Sequence, residues 1–135
     1  MESASAILRF RRGSPFGEGA FDLGHGIGLR TKHFAAFDAG PSPVDWVEVV
    51  TENFMAEGGR PVALLEKVRR DTPVVLHGVS LSIGSTDPLP ERYLRDLERL
   101  VARIQPALVT DHLCWGTWRG RYVHDLLPLP YTEEA

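Results

Sequence analysis

Pro106-Ala-Leu-Val-Thr-Asp-His-Leu-Cys-Trp115 is an apolar run that ends abruptly on an Asp-His pair. A run of this kind reads as a short buried strand, and a strand that delivers a histidine at its carboxyl end presents a metal ligand or a general base to the cleft of an α/β sheet. The same arrangement occurs at Pro73-Val-Val-Leu-His77, whose unbroken hydrophobicity suits a strand covered on both faces. Between the two lies the clearest helix of the chain. Asp87 and Pro90 mark its start, and Leu94, Leu97, Val101 and Ile104 recur at spacings of three and four to give the buried stripe. Glu91 with Arg95, and Arg92 with Asp96, place opposite charges four apart on its exposed side.

Working outward toward the N-terminus, Pro61 suits the first turn of a helix running to about Arg70. Val62, Leu65 and Val68 form its apolar stripe, and Arg69 and Arg70 sit at the negative end of its dipole. Before it, Asp45-Trp-Val-Glu-Val-Val50 reads as a strand, preceded by the loop Ala39-Gly-Pro-Ser-Pro43 and followed by Thr51-Glu52-Asn53-Phe54 at its carboxyl edge. Gly26-Ile-Gly-Leu-Arg30 reads as a first short strand, with His33, Phe34 and Phe37 on a helical piece after it; its Gly-x-Gly lacks the third glycine of a dinucleotide fingerprint. Strands centred near Val49, Val75 and Val109 are about 26 and 34 residues apart with helices between them, the spacing of βα crossovers, which join parallel strands. The class is α/β.

The flanks are less regular. Residues 1–24 are rich in Gly, Ser and Arg and read as a mobile leader, with a short edge element around Ala6 to Phe10. Gly78 to Ser85 reads as a flexible small-residue loop, and Arg121-Tyr-Val-His124 as a short strand or hairpin arm. Tyr131-Thr-Glu-Glu-Ala135 resembles a helix cap with acidic first-turn residues. On that reading a helix is cut off, and residues 25–135 are the N-terminal half of a larger domain. Four strands can form an open sheet but cannot close an eight-stranded barrel.

Composition narrows the function classes. The chain has 135 residues, enough for one ordinary domain, and a formal net charge of −3 with no basic row interleaved with aromatics, which speaks against nucleic acid. Its single cysteine, Cys114, excludes an intramolecular disulfide and fits a reducing compartment, the cytoplasm by default. An acid precedes the first apolar residues and the basic ones follow them, the wrong order for a secretory signal, and no window approaches the roughly 18 to 20 apolar residues of a membrane span. Neither a Gly-x-Ser-x-Gly elbow nor a Walker loop is present.

His77 and His112 occupy similar places on strands that should be neighbours or near-neighbours, so their imidazoles either converge on one metal ion or pack as hydrogen-bonded histidines at the core rim. Asp111 points to the opposite face by strand alternation and is a pairing or supporting group rather than a co-ligand of His112. Glu52 and Asn53 can ligate, polarise or orient a substrate, whereas Glu52 can equally pair with an arginine such as Arg30. His25, His33 and His124 read as solvated or locally bonded, and Cys114 as a buried, inert thiol. Trp115 and Trp118 either wall a pocket or simply pack.

Taken together, Gly26-Ile-Gly-Leu-Arg30, Trp46-Val-Glu-Val with Glu52-Asn-Phe-Met55, Leu76-His-Gly-Val-Ser-Leu-Ser82, Val109-Thr-Asp-His-Leu-Cys-Trp115 and Asp125-Leu-Leu-Pro-Leu-Pro-Tyr-Thr132 resemble consecutive motifs of the multinuclear non-heme iron-dependent oxidative enzymes, the UPF0276-like group. The resemblance runs from about Gly26 to the last residue and implies a TIM barrel of the xylose-isomerase-like kind, of which this chain supplies about the first half. It also implies two or three iron ions of mixed valence at the carboxyl ends of the strands, with dioxygen as co-substrate. The expected reaction is oxidative modification of cysteine in a ribosomally synthesised precursor peptide, often with a partner protein that binds the precursor's leader. Carried over by motif, two of the iron ligands fall on His77 and His112. Ser80, within the Leu-His-Gly block, and Trp115 are the candidates for substrate contact. The family's remaining ligands, carboxylates and further histidines, belong to the second half of the barrel. Two neutral imidazoles without bridging carboxylates cannot hold an iron cluster or balance its charge, so these 135 residues alone should be inactive. The rival readings are a divalent-metal sugar isomerase or phosphodiesterase on a similar barrel, by fold analogy, and a non-catalytic binding module.

Overall fold

A computed structural model describes residues 23–40 and 42–134. The leader and the edge element expected around Ala6 to Phe10 lie outside the described residues. The remainder is an α/β unit built on a parallel sheet in the order β1-β2-β3-β4, formed by Gly26–Gly28, Trp46–Val50, Val74–Gly78 and Leu108–Asp111. The helices α1 (Phe34–Ala39), α2 (Arg60–Arg69) and α3 (Glu91–Ile104) connect successive strands. An antiparallel pair follows, β5 (Cys114–Trp118) with β6 (Arg121–Pro128). Among the described residues no helix is long and apolar enough to cross a membrane.

Alternation along the strands decides what each face does. Val47 stands beside Val74 and Val49 beside Leu76 in the parallel register. These four are buried together with Val62, Leu65 and Val68 of α2 and Leu100 and Ile104 of α3, so this is the face that carries the helices. Each such side chain removed from water contributes about 1.5–3 kcal/mol. β3 is buried throughout Val74, Val75 and Leu76, as its unbroken run predicts for a strand with a neighbour on either side. Val50, His77 and Thr110 lie side by side on the opposite face.

Three details differ from the sequence expectation. The stripe of α3 is centred one residue away from that predicted: Leu100 is buried and Leu94 is 38% exposed, because the helix turns its apolar side toward α2 and the sheet only in its second half. β4 is an edge strand among the described residues, and Leu108 and Val109 are 44% and 43% exposed rather than buried. The loop after β3 is not loose. Ser82 is buried in a left-handed conformation, φ 57°, and its Oγ accepts the backbone N–H groups of Gly116 and Thr117 at 2.7 and 3.1 Å. Ser85 Oγ donates to Thr117 O at 2.6 Å, and both carboxylate oxygens of Asp87 cap the hairpin turn at Arg119 and Gly120. The small hydroxyl residues of this loop, expected to be flexible, here satisfy both backbone donors and a backbone acceptor of the hairpin.

The expected hairpin arm at Arg121–His124 is present and extends to Pro128. The charge pairs on α3 form, Arg95 to Glu91 at 3.2 Å and Arg92 to Asp96 at 3.9 Å. Tyr131 to Glu134 form a bend and a turn rather than a helical start.

Candidate metal centre

His77 is the fourth residue of β3, and His112 follows the last residue of β4. Thr110 pairs with His77 in register, and His112 lies two residues further along, so all three project from the same face. The two imidazoles meet there. Their Nε2 atoms are 3.1 Å apart and the rings stand edge to face with centroids 4.7 Å apart. His77 Nδ1 lies 2.8 Å from Thr110 Oγ1. With Nδ1 protonated and donating to Thr110, the lone pair of His77 is on Nε2, the nitrogen that faces His112.

Two nitrogens in such contact need either a proton on one of them or a cation shared by both. A metal ion bound by two imidazoles at about 2.1 Å and at right angles separates the nitrogens by about 3.0 Å. The observed 3.1 Å fits that donor pair, and neutral imidazole suits iron among the first-row metals. Among the described residues no group of three or more His, Cys, Asp or Glu is assembled to hold an ion.

The carboxylates stand elsewhere. Asp111 points to the helix-bearing face, as alternation predicts, and its Oδ1 accepts the backbone N–H of His112 at 2.8 Å. It lies against Gly78, its partner in register, where a Cβ would collide with the carboxylate; glycine is required there by close approach. Burial pushes the Asp111 carboxyl up from its ordinary range, and the nearby charge of Glu52 adds to this. Glu52, in the tight turn Thr51–Phe54 that follows β2, does not pair with Arg30. Its Oε1 accepts the Tyr93 hydroxyl at 2.8 Å and the Val79 N–H at 2.9 Å. Burial raises the Tyr93 phenol, and its bond to Glu52 and the neighbouring carboxylate charges act in the same direction.

A cavity of about 180 Å³ opens on this same side, bordered by Thr51, Gly78, Tyr93, Thr110 and Asp111. Thr51 Oγ1 and Glu52 Oε2 are buried and without a hydrogen-bond partner among the described residues.

The remaining candidates are not gathered at the histidine pair by any described bond. Asn53 is exposed, while Ser80 and Trp115 are half-buried, in the bend after β3 and in β5. Trp118 is exposed with the Arg119 guanidinium 4.5 Å from its ring. His33 is locally bonded, its Nδ1 accepting the Arg30 N–H at 3.2 Å, and His124 stacks edge-on against Tyr122. Cys114 is buried, and burial raises its thiol, in keeping with an inert role. The sequence reading missed Thr110 and Tyr93. The first was legible as the residue two before His112 on the same strand; the second sits in a helical stripe, where an aromatic reads simply as apolar.

Comparison with known proteins places the chain in a family. The family model "RiPP precursor modification enzyme MbnB/TglH/ChrH" matches residues 24–135. A UPF0276 protein of Anaeromyxobacter sp. is 73% identical over 113 residues, which are 84% of this chain and 40% of that protein. A UPF0276 protein of Caulobacter vibrioides is 53% identical over 113 residues, 83% of this chain and 40% of its own length. One of Acaryochloris marina is 47% identical over 112 residues, again 83% and 40%. The chain thus spans about 40% of the length of these relatives. With its histidine-bearing strands inside the matched region, the chain belongs to the MbnB/TglH/ChrH family of RiPP precursor modification enzymes.

Proposed function

We propose that the protein is an iron-dependent oxidase that modifies cysteine residues of a ribosomally synthesised precursor peptide, with His77 and His112 as two of its iron ligands. The observation that carries the reading is the approach of the two Nε2 atoms to 3.1 Å at the ends of adjacent parallel strands, inside the region that matches a precursor-modification family. Iron, when bound, supplies the one-electron redox chemistry by which dioxygen is reduced and a cysteine oxidised. The chain's own contribution is orientation. Thr110 holds the His77 ring through Nδ1, and Asp111 holds the backbone of His112. Two or three ions, further carboxylate and histidine ligands outside the described residues, and a (β/α)8 barrel of which residues 25–135 form the N-terminal half complete the proposal. A Cys-containing precursor, a partner that binds its leader, and a cytoplasmic setting go with it; Trp115 and Ser80 are the candidates for contact with the peptide.

The test is anaerobic expression of the full-length protein, measurement of bound iron, and exposure with dioxygen to a Cys-containing precursor followed by mass spectrometry. Bound iron that falls on His77→Ala or His112→Ala, with a mass change confined to cysteine, supports the reading. An iron-free protein, or iron unchanged in both variants, removes it.

A further inference from the structure

Glu52 is a candidate to ligate, polarise or orient a substrate, or to pair with an arginine, and its described hydrogen bonds add a structural task. One atom, Oε1, accepts both the Val79 N–H at 2.9 Å and the Tyr93 hydroxyl at 2.8 Å. It thereby ties together the end of β2, the end of β3 and the first turns of α3. Val79 is the second residue after His77, so the bond to its N–H fixes the direction in which the chain leaves β3. Gly78, between them, has no side chain, and the space beside it is filled by the Tyr93 hydroxyl and the Asp111 carboxylate. A rotation of the strand end about Gly78 would therefore break the Val79 bond and drive backbone into the phenol. The His77 ring projects from the other face of the same strand end.

We infer that Glu52 and Tyr93 are positioning residues that hold the terminus of β3 so that His77 Nε2 meets His112 Nε2. This rests on the ligand reading of the histidine pair and adds to it a device on the opposite face of the sheet. It assigns Glu52 neither a bond to metal nor a proton-transfer step. The second oxygen, Oε2, is buried with no partner among the described residues, so a glutamine amide can replace the carboxylate without losing any described bond. Tyr93 supplies the complementary half by orienting the carboxylate from α3.

The experiment uses the full-length protein with Tyr93→Phe, Glu52→Ala, Glu52→Gln and, as reference, His77→Ala. Fe(II) affinity is measured anaerobically by equilibrium dialysis, the ligand-field absorption of the Co(II)-substituted protein is recorded, and folding is checked by circular dichroism and urea unfolding. Loss of a group that orients a metal ligand weakens metal binding about 10- to 100-fold, and that is the expected range for Glu52→Ala, with about tenfold for Tyr93→Phe and displaced Co(II) bands in both. Glu52→Gln, which keeps the acceptor, is expected to restore affinity to within about threefold and to restore the spectrum. Should Glu52→Ala fail to fold, Tyr93→Phe and Glu52→Gln carry the comparison. The inference is overturned if Glu52→Gln loses as much metal as His77→Ala, since the carboxylate itself would then be required. It is equally overturned if Tyr93→Phe binds metal with unchanged affinity and spectrum. A His77→Ala variant with undiminished affinity would instead sink the ligand reading itself, so the two failures are distinct.

Discussion

Gly78 offers the sharpest test of how the strand ends are packed. A methyl group there would lie 2.8 Å from the Tyr93 hydroxyl and 3.0 Å from Asp111 Cγ, and would overlap the nearer carboxylate oxygen. The neighbours cannot simply swing aside, because Asp111 is tied to the His112 N–H and Tyr93 to Glu52. Overpacking of this kind costs about 1–3 kcal/mol, and displacing the phenol forfeits a hydrogen bond to a carboxylate worth about 1.5–3 kcal/mol. Gly78→Ala should therefore destabilise by about 3 kcal/mol, a change of more than a hundredfold in the unfolding equilibrium. With a urea m value of about 2 kcal/mol/M, the midpoint falls by about 1.5 M at unchanged m. Gly58→Ala is the control, since nothing lies within 4 Å of a Cβ there. It should stay within about 0.5 kcal/mol of the parent. Adding Tyr93→Phe to Gly78→Ala relieves one of the two collisions, so the double variant should be less destabilised than the sum of the singles. If Gly78→Ala unfolds at the same urea concentration as Gly58→Ala, the close approach of Asp111 and Tyr93 over β3 is wrong.

Thr110→Val removes the oxygen that meets His77 Nδ1 at 2.8 Å while keeping the volume, and should weaken iron binding by about tenfold with little change in stability; unchanged affinity refutes its orienting role. Cys114, buried and with its thiol raised by burial, should resist a disulfide reagent at pH 8 in the folded protein and react only on unfolding, whereas prompt labelling of the native state would refute its burial. Asp38 is held below its ordinary value of 3.8 by the hydrogen bond and charge of Lys67. Because the folded value is depressed, its small contribution to stability is present above the unfolded pKa and is lost as pH falls through the folded one. Lys67→Met should raise the Asp38 titration measured by carbon-detected NMR, and an unmoved midpoint would refute the pairing.

Much of the scaffold could be read from residues because it depends on local rules. The unbroken apolar run Val74-Val-Leu76 demanded cover on both faces, and the crossover lengths around it demanded parallel neighbours. The same alternation that placed His77 and His112 on one face correctly sent Asp111 to the other. What escaped depends on contacts between distant segments. Leu94 and Leu100 both satisfy a helical period, and only the position of α2 and the sheet decides which is covered. Ser82 and Ser85 look like loop filler until the hairpin that they cap is known. Glu52 lies 41 residues from Tyr93 and 27 from Val79 along the chain, and no periodicity connects them.

The separation of chemistry by face has a consequence for charge. On one face stand two imidazoles, a donor pair that brings no negative charge to a bound cation. On the other stand two carboxylates, Glu52 and Asp111, each committed to backbone or phenol donors of its own chain. Asp111 could turn toward the imidazoles only by reversing the strand alternation that sets the pair, and Glu52 only by releasing Val79 and Tyr93. In the proposed enzyme the bridging carboxylates therefore have to come from elsewhere, opposite the face that carries His77 and His112. The described residues then supply one rigid corner of the centre, and substitution of Glu52 or Asp111 should change how well that corner is held rather than how many ions it can bind.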